Sequence, residues 1–403
     1  MSLLQPRNFY PTFFLFLLFA APVHETMHEA GPWAILWTAP AILASSLMIA
    51  WAAESAQFFI AQGFALAILA WLQTLPEFAI EAVLAWKQQV PLLMANLTGA
   101  LRLLTGFGWP VIYFTAAMAK RRRGEGPLRA IRLDDHHAVE VVGLMAPLFY
   151  IGIVLWKGSL VLIDGVILIV LYSGYLVILS KLPAEDTESI DELEAVPRAI
   201  VTAPRHRRIA AIAALFVAGG ALIYFAAEPF LGSLLAISAV FGIPSFVFIQ
   251  WLAPIVSEFP EMASTIYFAR TVERAPMALM NMVSSNINQW TLLVAMLPIV
   301  YSMSLGHVAS IPLDAEQHTE LLLTLAQAVV GLAFLINMEL AWWEATVLLV
   351  LFAIPFFSAR FAMPVAIAYF AWAGVELLRI VFVKREALAL IRFAEVWRKH
   401  VRA

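Results

Sequence analysis

The chain has 403 residues, of which 62% are hydrophobic and only 13% charged, against about 45–50% and 25% in soluble domains, so large soluble domains are excluded and a membrane protein is expected. The absence of cysteine rules out disulfides, thiolate metal centres, cysteine nucleophiles and iron–sulfur clusters. A net charge of −3 leaves no nucleic-acid footprint, and without a Walker-type phosphate loop or a GxGxxG turn an ion gradient is the expected energy source.

Apolar windows fall at about 9–23, 31–53, 55–86, 91–118, 138–156, 159–180, 209–227, 231–269, 276–303, 318–338, 341–358 and 362–383, each a candidate to cross a hydrocarbon core of about 30 Å. The first follows Arg7 and ends in Ala20-Ala21-Pro22, so it reads as a helix or as the core of a signal peptide. Either choice leaves the later spans in the same orientation. With the N-terminus inside, the inner segments collect Arg7, the Lys120–Arg132 loop, Lys181–Arg208, Arg270, Arg274 and the tail from Arg379. Only Lys87, Lys157 and Arg360 remain outside and Arg102 falls within a span, which is the positive-inside pattern. Both termini are therefore expected in the cytoplasm, and the compact loops suggest a bacterial inner membrane.

The polar stretch 183–208 carries Glu185, Asp186, Glu188, Asp191, Glu192 and Glu194, then Arg205-His206-Arg207-Arg208. It reads as a solvated cytoplasmic linker, with regulatory cation binding as the sharper alternative. The chain then divides into an N-terminal segment and outer loop (1–30), a first half (31–182), the linker (183–208), a second half (209–360), and an added helix with a basic tail (361–403). In that tail Ile391, Phe393, Val396 and Trp397 alternate with basic residues, as in a helix lying on an anionic leaflet.

Two windows are too long for one straight span: 32 residues at 55–86 and 39 at 231–269, or roughly 48 and 58 Å at 1.5 Å per residue. Each carries a Pro-Glu pair in its apolar run, Leu75-Pro76-Glu77 and Phe259-Pro260-Glu261. Proline removes a backbone donor and frees carbonyls, so a carboxylate beside a broken helix is a candidate cation ligand. The neighbourhoods repeat: Glu77 precedes Pro91 by 14 residues and Asn96 by 19, while Glu261 precedes Pro276 by 15 and Asn281 by 20. The charge rule runs the two motif helices in opposite directions, so the repeats are inverted, the architecture of alternating-access transporters.

These motifs resemble the sodium/calcium exchanger branch of the cation/calcium antiporter superfamily, whose inverted repeats each carry a Thr-Ser-x-Pro-Glu-like stretch and then a Gly-Asn-x-x-Gly-Ser-Asn-like stretch. The second half matches in Ser257-Glu258-Phe259-Pro260-Glu261 and Asn281-Met282-Val283-Ser284-Ser285-Asn286. The first half matches less completely, in Thr74-Leu75-Pro76-Glu77 and Asn96-Leu97-Thr98-Gly99, with Ala100-Leu101 where Ser-Asn is expected. The resemblance implies an all-α, polytopic fold with a ten-helix core of two inverted five-helix repeats and about one extra helix at each end. It implies Glu77 and Glu261 as central metal ligands, flanked by Thr74, Ser257 and Ser285, with Asn96 and Asn281 as ligands or as partners of the helix breaks. Leu104 and Gln289 stand where the family often has Asn or Asp, so one wall of the site is poorer in oxygen. Calcium takes 6–8 oxygens at about 2.3–2.6 Å, so Glu81 and Glu258, one turn from the central glutamates, are expected to complete it along with carbonyls or water. Carboxylates that could titrate make protons a rival to sodium as coupling ion. The expected function is therefore a secondary antiporter exporting calcium, or another divalent cation, in exchange for sodium or protons. It is no enzyme and holds no cofactor; its partners are the transported cations and the lipid bilayer.

Other motifs give competing readings. On an ideal helix Arg102 projects about 240° from Asn96, away from the expected cation path; it is expected to pair with an acid such as Glu140 or Asp164, or to snorkel, the sharper reading being a tethered cation on Glu77 or Glu81. His24-Glu25-Thr26-Met27-His28 fits the HExxH pattern of zinc proteases, with Asp164 as a weak third ligand, and a non-transporting exchanger fold is the remaining alternative. Asp134-Asp135-His136-His137 reads as a solvated segment, with metal sensing as its rival.

Overall fold

The computed structural model describes residues 30–59, 74–182, 190, 193–382 and 387–402. The expected span at 9–23, the HExxH stretch and all of the acidic run except Glu194 lie outside them. Helix α1 (Ile35–Ala56) is followed by α2 (Leu75–Trp86), and α3 (Val90–Leu103) continues through a π turn at Leu104–Gly108 into α4 (Trp109–Arg122). Strand β1 (Ala130–Arg132), α5 (Ala138–Gly143), α6 (Met145–Lys157), β2 (Ser159–Leu160) and α7 (Leu162–Leu179) complete the first half, and α8 (Ala195–Val201) sits in the connection.

The second half repeats the plan. Helix α9 (Arg205–Phe241) is followed by α10 (Ser245–Ser257) and α11 (Phe259–Ala269), and α12 (Ala275–Asn288) passes through a π turn at Gln289–Leu293 into α13 (Val294–Leu305). Then come β3 (Ile311–Pro312), α14 (Ala315–Leu335), β4 (Glu339–Ala341) and α15 (Trp342–Phe357), with α16 (Ala362–Phe382) and α17 (Leu388–Val396) beyond the repeat. Seven helices of the described residues are long and apolar enough to cross a membrane, and the outward faces carry exposed residues such as Trp156, Phe149 and Phe357, as expected where lipid is the solvent.

The internal repeat is visible in fine detail. Asn96 and Asn281, and the π turns starting at Leu104 and Gln289, are separated by one common interval. The caps repeat at another: Asp134 with His137 and Asp314 with Gln317 form reciprocal caps, while Asp164 and Glu344 each reach back to the backbone N–H three residues earlier. These satisfy donors that a helix start leaves open. The strands cross between halves. Antiparallel β1–β4 pairs Ile131 with Leu340, and β2–β3 pairs Leu160 with Ile311. Exchanging the halves turns one ribbon into the other, and α5 and α6 run between β1 and β2, so the ribbons sit at opposite ends of the bundle.

Two sequence boundaries need correction. The windows 209–227 and 231–269 do not part at Glu228-Pro229: α9 runs through Pro229 and stops at Gly242, whose φ of +65° ends the helix before Pro244. Proline inside a membrane helix is tolerated where neighbours compensate, and Glu228 is tied to Lys87 of the α2–α3 link at 2.7 Å. Residues Arg205–Arg208, expected in the linker, already form the first turn of α9. Helices α1 and α9 pack through small residues, with Ser45 Oγ donating to Gly219 O at 2.7 Å and a Cβ on Gly219 reaching Ile49 at 2.9 Å, the close approach expected of helices in lipid. The tail meets protein on one face while Ile391 and Trp397 stay exposed on another. Helix α17 is docked on protein, with Ala389 fully buried, its N–H on Ile336 O, and Arg392 on Asp135 at 3.0 Å.

Candidate cation site

The two Pro-Glu motifs make the same local structure. Pro76 and Pro260 each sit in the first turn of a short helix, α2 or α11, where a missing N–H costs nothing. Glu77 and Glu261 follow immediately, in first turns whose open N–H groups and positive dipole end favour a carboxylate. Glu258 is the junction between α10 and α11, its N–H donating to Pro254 O at 2.8 Å and its carbonyl accepting from Met262 N at 2.9 Å. In the other half Thr74 stands at the matching position as the N-cap of α2, its carbonyl accepting from Glu77 N and Phe78 N.

All four glutamates are buried: Glu77, Glu81, Glu258 and Glu261 are 1%, 0%, 3% and 5% exposed. A charged residue at mid-membrane costs about 2.5–3.5 kcal/mol, which makes this cluster the candidate site. Glu77 and Glu258 come from opposite halves and share a single donor. Gln289 holds the centre. Its Nε2 donates to Glu77 Oε2 at 2.5 Å and to Glu258 Oε1 at 2.7 Å, bridging the halves. Asn288 Nδ2 donates to Thr74 Oγ1 at 2.5 Å, and Asn96 Nδ2 to Glu81 Oε1 at 2.9 Å.

Among the described residues several buried oxygens of this cluster have no hydrogen-bond partner: Glu77 Oε1, Glu81 Oε2, both Glu261 oxygens, Asn96 Oδ1, Ser285 Oγ, Asn288 Oδ1 and Gln289 Oε1. Buried acceptors left open are costly, and every one is an oxygen, the donor type of a hard cation. In type, these donors are the ones a calcium ion takes.

The structure brings together Glu77, Glu81, Glu258, Glu261, Thr74, Asn96 and the buried Ser285, while Ser257, also buried, is engaged with Ala253 O at 3.2 Å on its own helix. Asn281 is the exception: it is half-buried on α12 and joins no hydrogen bond among the described residues. The polar role falls instead to Asn288 and Gln289, residues passed over as ligands. A signal for them exists, because Asn281, Ser285, Asn288 and Gln289 follow the i, i+4, i+7, i+8 pattern of one helix face. The matching first-half positions, Asn96, Ala100, Leu103 and Leu104, are apolar after the first. Gln289 thus supplies a bridge where the sequence suggested a lost oxygen.

Arg102 does point away from this site, as expected, but pairs with neither Glu140 nor Asp164. Its Nη2 lies 2.8 Å from Glu320 of α14, and its guanidinium lies over the Trp251 ring at 5.0 Å. Asp164 is occupied by Lys157, Tyr150 and Val161 N, so it offers nothing to a zinc site with the HExxH stretch. In the Asp134–His137 segment Asp134 N donates to His137 Nδ1 at 3.3 Å in a reciprocal cap, and ligand atoms of Asp134, His136 and His137 lie within 4.8 Å of one another. Glu194, the described member of the acidic run, accepts from Trp51 Nε1 at 2.7 Å.

Comparison with known proteins identifies the fold and the family. The family described as sodium/calcium exchanger protein matches residues 31–181 and 211–358. The crystal structure of the H+/Ca2+ exchanger CAX is similar at 30% identity, covering 96% of this chain and 95% of that one, with a TM-score of 0.85. The sodium-calcium exchanger NCX_Mj soaked with 2.5 mM Na+ and 10 mM Sr2+ shares the fold, at 19% identity over 81% of this chain and 97% of its own, with a TM-score of 0.52. The same exchanger soaked with 100 mM Na+ and 10 mM Sr2+ gives 18% and 0.53. No curated protein sequence matches the chain.

Proposed function

The chain belongs to the sodium/calcium exchanger family, and from that premise we propose that this integral membrane cation/calcium antiporter exchanges calcium for protons at a site built on Glu77, Glu258 and Glu261. Glu81, Ser285, Asn288 and Gln289 supply the surrounding oxygens. The observation that carries this reading is the set of buried, unpartnered oxygens near Gln289, which bridges the start of α2 and the α10–α11 junction from opposite halves.

The coupling ion follows from charge. Carboxylates drawn together at mid-membrane need compensation in every state of the cycle. Calcium supplies two charges when bound, and after its release either protons on the oxygens or sodium ions between them must replace it. Gln289 places amide hydrogens between Glu77 and Glu258, where a sodium ion would otherwise fit, and Leu104 makes the related first-half wall apolar. Both substitutions leave fewer oxygens for sodium and favour protonation. The similarity to an H+/Ca2+ exchanger over 96% of the chain supports the same choice.

The site lies where the inverted halves 31–182 and 209–360 meet, as alternating access requires. The positive-inside pattern supports a cytoplasmic side for the β1–β4 ribbon and the tail, and the compact loops support a bacterial inner membrane. The protein acts by transport and carries no resident cofactor.

The test is calcium-45 uptake by proteoliposomes, with an acidic interior or a sodium-loaded interior as the sole driving force, and Glu261→Gln as control. Uptake driven by the pH gradient, absent with sodium and lost in Glu261→Gln, is expected. Uptake driven only by sodium overturns the proton assignment, and uptake under neither gradient overturns calcium as the substrate.

A further inference from the structure

A second buried polar cluster lies on the far side of α3 from the cation site. Arg102 is 2% exposed, and its Nη2 meets Glu320 Oε2 at 2.8 Å. The same oxygen accepts from Gln250 Nε2 at 2.9 Å, and Trp251, the next residue of α10, lies under the guanidinium. Gln327 of α14 donates to the Arg102 carbonyl at 2.9 Å. Two consecutive side chains of α10 thus grip an ion pair whose members belong to α3 and α14. The backbones close in as well, since a Cβ on Gly99 would stand 1.8 Å from Gln250 O.

The fold does not require this pair. Ile287 occupies the place in α12 that Arg102 holds in α3, counted by the interval that relates Asn96 to Asn281, so an apolar residue serves the related half. A membrane interior makes an unneeded ion pair costly, which asks what the charges accomplish.

What α10 carries is the answer. Gln250 and Ser257 are seven residues apart, about 700° of helical rotation, and so share a face. Glu258, which shares Gln289 with Glu77, follows at once. Whatever fixes Gln250 against α3 also fixes, two turns later, where the Glu258 carboxylate stands.

We propose that Arg102 and Glu320 are positioning residues for the transported cation: by gripping Gln250 and Trp251 they hold α10 against α3 and α14 and set the distance of Glu258 from Glu77 and Gln289. This rests on the reading of Glu77, Glu258 and Glu261 as the cation site. The pair touches no transported ion. A displacement of about 1 Å at a reacting or binding group is worth up to a hundredfold in function, which is the scale on which the clamp acts.

The experiment measures calcium binding to purified protein in detergent and calcium-45 uptake kinetics in proteoliposomes. Arg102→Met alone strands a buried glutamate and is expected to fail to fold, so the informative variant is Arg102→Met/Glu320→Gln, which removes both charges and keeps an oxygen for Gln250. It should fold, keep Vmax within about twofold, and raise both the calcium dissociation constant and KM about tenfold or more. On a Glu258→Gln background the same double substitution should change calcium binding by less than about twofold, because the residue it positions is gone. Gln250→Leu, which leaves the ion pair intact, should weaken calcium binding in the same direction and covers the case in which the double variant does not fold. Wild-type affinity in the folded double variant, or in Gln250→Leu where the double variant does not fold, overturns the clamp, as does an undiminished effect on the Glu258→Gln background. Glu261→Gln is carried alongside: if it binds and transports calcium like wild type, the site reading itself fails, whereas a dead Glu261→Gln with an unaffected clamp variant removes the clamp alone.

Discussion

Gly99→Ala puts the contact between the site-bearing helices under direct strain. The added Cβ would lie 1.8 Å from Gln250 O and 2.8 Å from its carbonyl carbon, whereas real Cβ contacts essentially never fall below 3.0 Å. The obstacle is backbone, so no side chain can swing aside, and α10 must retreat by about 1.2 Å before the contact is tolerable. Overpacking of this kind costs about 1–3 kcal/mol, and the gain of about 1 kcal/mol from replacing glycine by alanine in a helix offsets part of it. The larger effect falls on the site. A shift of that size carried to Glu258 stretches the 2.7 Å bond from Gln289 beyond useful range, and a hydrogen bond to a charged group is worth about 1.5–3 kcal/mol. Calcium affinity should therefore fall roughly ten- to a hundredfold, with a modest loss of thermal stability. Calcium-45 uptake as a function of calcium concentration measures the first, and a thermal scan by size-exclusion chromatography the second. Gly152→Ala is the control, since nothing lies within 4 Å of a Cβ there, and it should leave KM unchanged. Wild-type KM and stability in Gly99→Ala would refute both the close packing of α3 on α10 and its link to Glu258.

Two further outcomes are expected. Gln289→Leu removes the donors to Glu77 and Glu258 and should raise KM for calcium about a hundredfold or more, at two charged hydrogen bonds of about 1.5–3 kcal/mol each. The protein should still fold, because Leu104 occupies the related place in α3; a KM within about threefold of wild type would show that the bridge lies outside the binding site. At one rim of the bundle, the Glu273 backbone N–H and then the Arg123 guanidinium, at 2.9 Å, hold the Glu273 carboxyl below its ordinary range. A carboxylate with a lowered folded pKa stabilises above its unfolded value of about 4.3 and loses that contribution as pH falls through the folded value. The thermal stability of wild type should exceed that of Glu273→Gln slightly at neutral pH and converge with it in acid; a difference that persists or grows in acid would contradict the assignment.

Much of this protein is legible in one dimension because a membrane imposes local rules. Hydropathy over about 20 residues finds a span, a charge bias orients it, and Pro-Glu in an apolar run marks a broken helix with a carboxylate at its start, so the inverted repeat and Glu77 and Glu261 can be found without coordinates. Boundaries within continuous apolar sequence are less certain. Glu228-Pro229 looks like a break, yet α9 passes through it, because proline disrupts a helix only where neighbours do not compensate. Partner choice is not local at all. Arg102 needs an acid, and the sequence points to Glu140 or Asp164; packing α3 between α10 and α14 selects Glu320 instead. Likewise Gln289 looks like a missing ligand until α12 is laid beside α2 and the α10–α11 junction, where its single amide meets one glutamate from each half. The tail's amphipathic pattern suits a membrane surface or a protein groove, and the structure shows a protein contact at Ala389 with Ile391 and Trp397 left exposed. Composition and periodicity determine which segments enter the membrane and which residues carry charge into it. Which charges meet is decided by helix packing between residues about 200 positions apart, since hydrogen bonding selects on distances of about 3 Å that no sequence interval specifies.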